Sequence, residues 1–117
     1  MTELSRMKCI PCTGKEPALS KAEIEEMRKE VPDWAIEHVD AIPHLKRIYR
    51  FKNFAQALEF TNQVGEIAEQ EDHHPALLTE WGKVTVSWWT HAIGGLHHND
   101  FIMAAKSDQL YRRQSAL

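Results

Sequence analysis

Residues 69–91 read EQEDHHPALLTEWGKVTVSWWTH, and the change of period inside this stretch decides the fold. Up to Glu71 the chain continues a helical pattern in which Phe54, Ala57, Leu58, Thr61, Val64 and Ala68 recur at three- and four-residue intervals. The run Glu71-Asp72-His73-His74-Pro75 breaks it, because a proline biases the residue before it towards extended backbone. Beyond Pro75 the period becomes two. Leu77 to Trp81, the turn Gly82-Lys83, and Val84 to Thr90 predict a hairpin, with Val84, Val86 and Trp88 on one face and Thr85, Ser87, Trp89 and His91 on the other.

Towards the N-terminus, Asn53 and Gln56 supply the cap of that helix. Before it, Trp34, Ile36 and His38 alternate with Ala35, Glu37 and Val39. Asp40 to Pro43 read as a turn, and Leu45 to Phe51 alternate again, which predicts a first hairpin. Ser20 and Glu23 form a capping box that opens a helix with Ile24 and Met27 on one face, ended by Pro32. Residues 1–19 contain Pro11, Gly14 and Pro17 without periodicity and read as an extended leader. Towards the C-terminus, Gly94-Gly95 marks a tight loop, and Asn99 or Asp100 caps a last helix carrying Phe101, Ala104, Ala105 and Leu110. The order α-β-β-α-β-β-α predicts an α+β fold: one two-layer domain over residues 20–117, with helices packed on one face of a four-stranded antiparallel sheet.

A chain of 117 residues holds one such domain, and its 43% hydrophobic and 26% charged content suits a packed core rather than disorder. The formal charge of −3, with both signs interspersed, argues against nucleic-acid binding, and the cluster Lys46, Arg47, Arg50 and Lys52 reads as a solvated strand face. No apolar run approaches the ~20 residues that span a bilayer, and the N-terminus lacks a signal-peptide core, so a cytoplasmic location is expected. Cys9 and Cys12 form a lone Cys-Ile-Pro-Cys. That spacing is compatible with a redox pair, half a zinc site or inert thiols; with no βαβ context and no second pair, inert thiols are favoured.

Seven histidines are present, five of them between positions 73 and 98. His73 and His74 end a helix, His91 ends a strand, and Asp100 begins a helix, where the macrodipole favours a carboxylate. Element ends gather at one rim of a two-layer domain, which predicts a polar cleft edged by Trp81 or Trp89. Imidazoles beside carboxylates suit a reaction that removes one proton and supplies another, as a dehydration does. No HExxH spacing is present, and adjacent histidines do not readily share one ion, so neither a metal nor another cofactor is expected.

The series Glu69-x3-His73-His74-Pro75-x5-Trp81-x9-His91-x8-Asp100 resembles the signature of the pterin-4a-carbinolamine dehydratases, and the likeness extends from about Ser20 to the C-terminus, including Trp34 and the Phe54, Ala57, Phe60 helix. The resemblance implies a dehydratase that turns 4a-hydroxytetrahydropterin into quinonoid dihydropterin. It implies acid and base duties shared by His73, His74 and His91, with Glu69 holding a histidine. Asp100 would orient His91 or bind the pterin, and Trp34 and Trp81 would supply aromatic walls. It implies a homo-dimer or tetramer serving the recycling of pterin for aromatic amino-acid hydroxylases. Three positions depart from the usual pattern: His97 stands where Thr or Ser follows Gly-Gly-Leu, Trp81 where Tyr is usual, and Trp88 where Leu is common. His97 and His98 are expected on the surface. A non-catalytic protein-binding module and a molybdopterin-related accessory protein are the alternatives on the same fold.

Overall fold

The structure is a computed structural model that describes residues 4–10 and 14–115. Helix α1 (Lys21–Arg28) opens at Ser20, whose hydroxyl accepts from the Glu23 amide while the Glu23 carboxylate accepts from the Ser20 amide. The Ser20 amide, and after it the Ser20 hydroxyl, hold the Glu23 carboxyl below its ordinary range. Strands β1 (Ala35–Val39) and β2 (Ile42–Arg50) follow, then α2 (Phe54–Glu71), β3 (Ala76–Glu80), β4 (Lys83–Trp88) and α3 (His98–Ser115). The sheet is antiparallel, in the order β1-β2-β4-β3, and α2 and α3 pack on the same sheet. This is the expected α+β architecture.

The register sorts the side chains. Leu45 and Tyr49 of β2 and Val84, Val86 and Trp88 of β4 are buried, and meet Ala57, Phe60, Val64 and Ala68 of α2 and Phe101, Met103 and Ala104 of α3. Lys46, Ile48 and Arg50 lie across from Ser87, Thr85 and Lys83 on the opposite face. In α2 the buried stripe is rotated from the expected one: Phe60 points inward, and Phe54 and Leu58 are more than 40% exposed. Three- and four-residue spacing admits either set, and the apolar face that meets both the sheet and α3 selects Phe60.

Two further differences concern element boundaries. Pro43 lies in β2, not in the turn; it pairs with His38 ahead of Leu45, where β4 pairing begins, so one side of its backbone carries no ladder. The turn is the pair Asp40-Ala41, both in the left-handed region, as a tight hairpin with right-twisted strands requires. The leader is not simply extended. Leu4–Arg6 form a 3-10 turn with Leu4 buried, and the Lys106 ammonium donates to the Ser5 carbonyl on α3's side.

Candidate active site

The end of α2 sets the first two histidines. Asp72 is left-handed, its amide donates to Glu69 O, and the His73 amide donates to Ala68 O 3.1 Å away, the reciprocal pair that closes a Schellman turn. Pro75 then starts the extended run into β3. The reversal sends consecutive imidazoles to different surroundings. His73 is buried, and its Nε2 lies 2.6 Å from Asp100 Oδ1. His74 is exposed, with its Nε2 on Glu69 Oε2 one helical turn upstream.

Asp100 is 0% exposed and accepts from three groups: His73, the Thr90 hydroxyl at 2.8 Å and the His97 amide at 2.9 Å. An ionised carboxylate only accepts, so the Nε2 of His73 carries the hydrogen, and in the neutral ring Nδ1 then presents a lone pair. Glu69 sets the same tautomer on His74. His73 is backed by Trp88, whose ring is nearly parallel to it (13°) with centroids 5.9 Å apart. Trp88 Nε1 is buried and has no hydrogen-bond partner among the described residues.

Thr90 connects this pair to the second chain segment. Its backbone bridges Gly95, closing the loop that holds the 3-10 turn His91–Ile93, and His91 follows Thr90 directly. Gly95 is required there, since a Cβ would stand 2.8 Å from the Ala18 side chain, a close approach that only glycine admits. His91 is exposed and packs on Trp89, with ring centroids 4.5 Å apart. The other side of that cluster is His44, stacked on Trp89 at 3.9 Å and 5°. Burial holds the His44 pKa below the ordinary histidine value; the nearby His91 acts in the same direction, while Glu37 and Asp100 oppose it.

One rim therefore carries Glu69, His74, His73, Asp100 and Thr90, linked by direct hydrogen bonds or chain adjacency, and His91, Trp89 and His44 continue from Thr90. Asp100 meets His73 rather than His91. Two expected walls are elsewhere. Trp34 is 1% exposed, its indole donating to Asp108 Oδ1 at 3.0 Å and its ring edge-on to Tyr49; a ring so enclosed offers no face to a ligand. Trp81 is 72% exposed beyond Glu80↔Lys83, at the far end of the β3–β4 hairpin from Ala76↔Ser87. Four residue steps separate the two ends of β3, roughly 13 Å at the usual rise. The indoles beside the histidines are Trp88, against His73, and Trp89, against His91 and His44.

His97, expected on the surface, is 7% exposed; its Nδ1 accepts from the Asn99 amide, while Asp100 accepts from the His97 amide. His97 and Asp100 together cap α3 as a Ser-x-x-Glu box would. His44 stands between the Asp40–Pro43 turn and the Leu45–Phe51 alternation that the pattern predicts, so its spacing offers no reason to place it at the rim. The signal that would have found it is the register: one step beyond Leu45↔Trp88 faces it with Trp89. The leader also reaches the rim. Cys9 N donates to Glu71 at 2.8 Å, and the Asn99 amide group pairs with both backbone groups of Ile10. Burial, with Glu71 next in weight, pushes the Cys9 thiol up to about 12, so it is held as an unreactive thiol. Cys12, the other half of the Cys-Ile-Pro-Cys motif, lies outside the described residues. Among the described residues no group of three or more His, Cys, Asp or Glu side chains is disposed to hold a metal ion, and no helix is long and apolar enough to cross a membrane.

A helix-backed antiparallel sheet with imidazole–carboxylate pairs along one rim is the architecture that defines this chain. Residues 17–110 match the family described as Pterin 4 alpha carbinolamine dehydratase. The chain belongs to that family, and its activity class is that of a hydro-lyase. Over 116 residues (99% of this chain and 100% of the relative) it is 55% identical to the "Putative pterin-4-alpha-carbinolamine dehydratase" of Microcystis aeruginosa. The crystal structure of a transcriptional coactivator/pterin dehydratase from Brucella melitensis superposes with a TM-score of 0.72 at 30% identity, over 80% of this chain and 97% of that one. A pterin dehydratase-like protein described as a RuBisCO assembly factor in the alpha-carboxysome shares the fold, with a TM-score of 0.57 at 19% identity over 68% of this chain and 89% of that one.

Proposed function

We propose that this protein dehydrates a 4a-hydroxytetrahydropterin to the quinonoid dihydropterin by histidine-based acid–base catalysis. A base takes the N5 proton, the C4a–O bond breaks as a C4a=N5 double bond forms, and an acid delivers a proton to the departing hydroxyl, which leaves as water. The substrate's own electrons balance the step, so no oxidant or reductant enters. The observation that carries the reading is the buried Asp100, which engages His73 through Nε2 and leaves Nδ1 as a base. Glu69 does the same for the exposed His74, and His91 stands on the next segment of the rim. A reaction that needs a proton removed and another supplied uses more than one such group. In this reading the protein works in the cytoplasm as a homo-dimer or tetramer and recycles pterin for aromatic amino-acid hydroxylases.

The test is direct turnover of a 4a-hydroxytetrahydropterin. Wild type accelerates the loss of water, and His74→Ala and His91→Ala each lower kcat by ~10²-fold. Wild type that leaves the spontaneous rate unchanged rejects the reading. A protein-binding role is the second reading, supported by the exposed Ile48 and Leu78, which flank Thr85 on the helix-free face of the sheet. It would survive a failure to turn over substrate.

A further inference from the structure

The indole of Trp89 has two histidines against it, and neither Trp89 nor His44 belongs to the signature that marks the family's site. Successive strand residues point to opposite faces, so the tandem Trp88-Trp89 at the end of β4 sends one indole to each side. Trp88 backs His73 from the helix side, and Trp89 backs His91 from the open side. The surroundings differ. Trp88 is locked in the core at 0% exposure, whereas Trp89 is half-buried at the edge of the core. What covers Trp89 is His44, a polar ring held at 8% exposure in a parallel stack.

An exposed imidazole at the head of a short turn has several staggered rotamers open to it, and proton transfer needs one of them. The Thr90–Gly95 bridge fixes the backbone of His91 but not its ring. The ring rests on the Trp89 indole, and the indole keeps its plane because His44 occupies its flank. We propose that His44 is a positioning residue: stacked on Trp89, it holds the indole that sets the orientation of the His91 imidazole. The inference rests on the reading above that His91 takes part in proton transfer. The charged or titratable groups whose fields reach His44 are Glu37, its partner across the strand on β1, His91 on the 3-10 turn and Asp100 on α3. An uncharged aromatic ring at position 44 therefore keeps the stack while removing the titration.

Two variants and two readouts test it. His44→Ala lowers kcat about tenfold and leaves KM within about twofold, while His44→Phe restores kcat to within about twofold of wild type. In parallel, proton NMR of the His91 ring needs no substrate. In wild type the Trp89 ring current shifts the His91 carbon-bound protons; the shift collapses in His44→Ala and returns in His44→Phe. A His44→Ala protein with wild-type kcat and an unchanged His91 shift overturns the proposal, as does a His44→Phe protein that keeps the shift and still loses kcat. If wild type shows no turnover while the shift responds as stated, the positioning stands and the dehydratase reading falls.

Discussion

Helix α3 buries two aspartates eight residues apart, and their neighbourhoods differ in one respect. Asp100 is surrounded by the imidazole of His73, a hydroxyl and a backbone amide. Asp108 is surrounded by the Trp34 indole, the Arg47 guanidinium at 2.6 Å and the Tyr49 hydroxyl at 2.6 Å, all on one oxygen. None of Asp108's donors changes protonation near neutral pH: guanidinium stays charged, indole has no accessible titration, and burial beside the Asp108 charge pushes the Tyr49 pKa further up. Asp100 alone faces a group that can take or give a proton at working pH. On the proposed function, two similar carboxylate nests on one helix serve different ends, one chemistry and the other cohesion, and the partner's acidity decides which.

The largest expected effect separates the two. Asp100→Asn keeps the size of the side chain but loses the charged acceptor that fixes the His73 tautomer, and kcat falls by ~10²-fold or more in a pterin turnover assay. Asp108→Ala leaves the Arg47 charge without its close partner and destabilises the fold by about 3 kcal/mol in urea unfolding, with kcat in the surviving native fraction within about twofold of wild type. An equal loss of kcat in both would erase the distinction. Trp34→Phe sharpens it from the other side. It removes one donor from Asp108 and some ring volume, which costs about 2 kcal/mol, and KM stays put because Trp34 has no face towards the rim.

The smallest effect concerns His44, whose burial depresses its pKa. A depressed histidine takes up protons more readily in the unfolded chain, so wild type loses stability as pH falls below about 6.5 towards the lower folded value. His44→Phe lacks this contribution. Its unfolding free energy therefore falls less than wild type's over that window, measured by chemical denaturation at a series of pH values.

Local chemistry carried much of the fold into the sequence. The Ser20–Glu23 box, the Asn53 cap and the alternation of Val84, Val86 and Trp88 each depend on neighbours within a few residues, and each stands where its pattern puts it. The placing of His73, His74 and His91 at element ends was legible for the same reason. Contacts between distant residues were not. Alternation tells which face Trp89 takes, but not that it, rather than Trp81, shares an end with the histidines; that requires the β3–β4 register. The family resemblance makes Trp34 an aromatic wall, and only the contact with Asp108, 74 residues away, shows what holds its indole. His97 looks like surface until it caps α3, because imidazole is an uncommon cap and the pattern alone gives no reason to bury it.

The account depends most on where a flat heterocycle would sit, and a titration followed by heteronuclear NMR locates it. With unreactive 7,8-dihydropterin added, the ring resonances of His73, His74 and His91 and the indole N–H of Trp89 move together and saturably, while the indole signals of Trp34 and Trp81 stay in place. Saturable shifts at Trp34 or Trp81, with the three histidines unmoved, would contradict it.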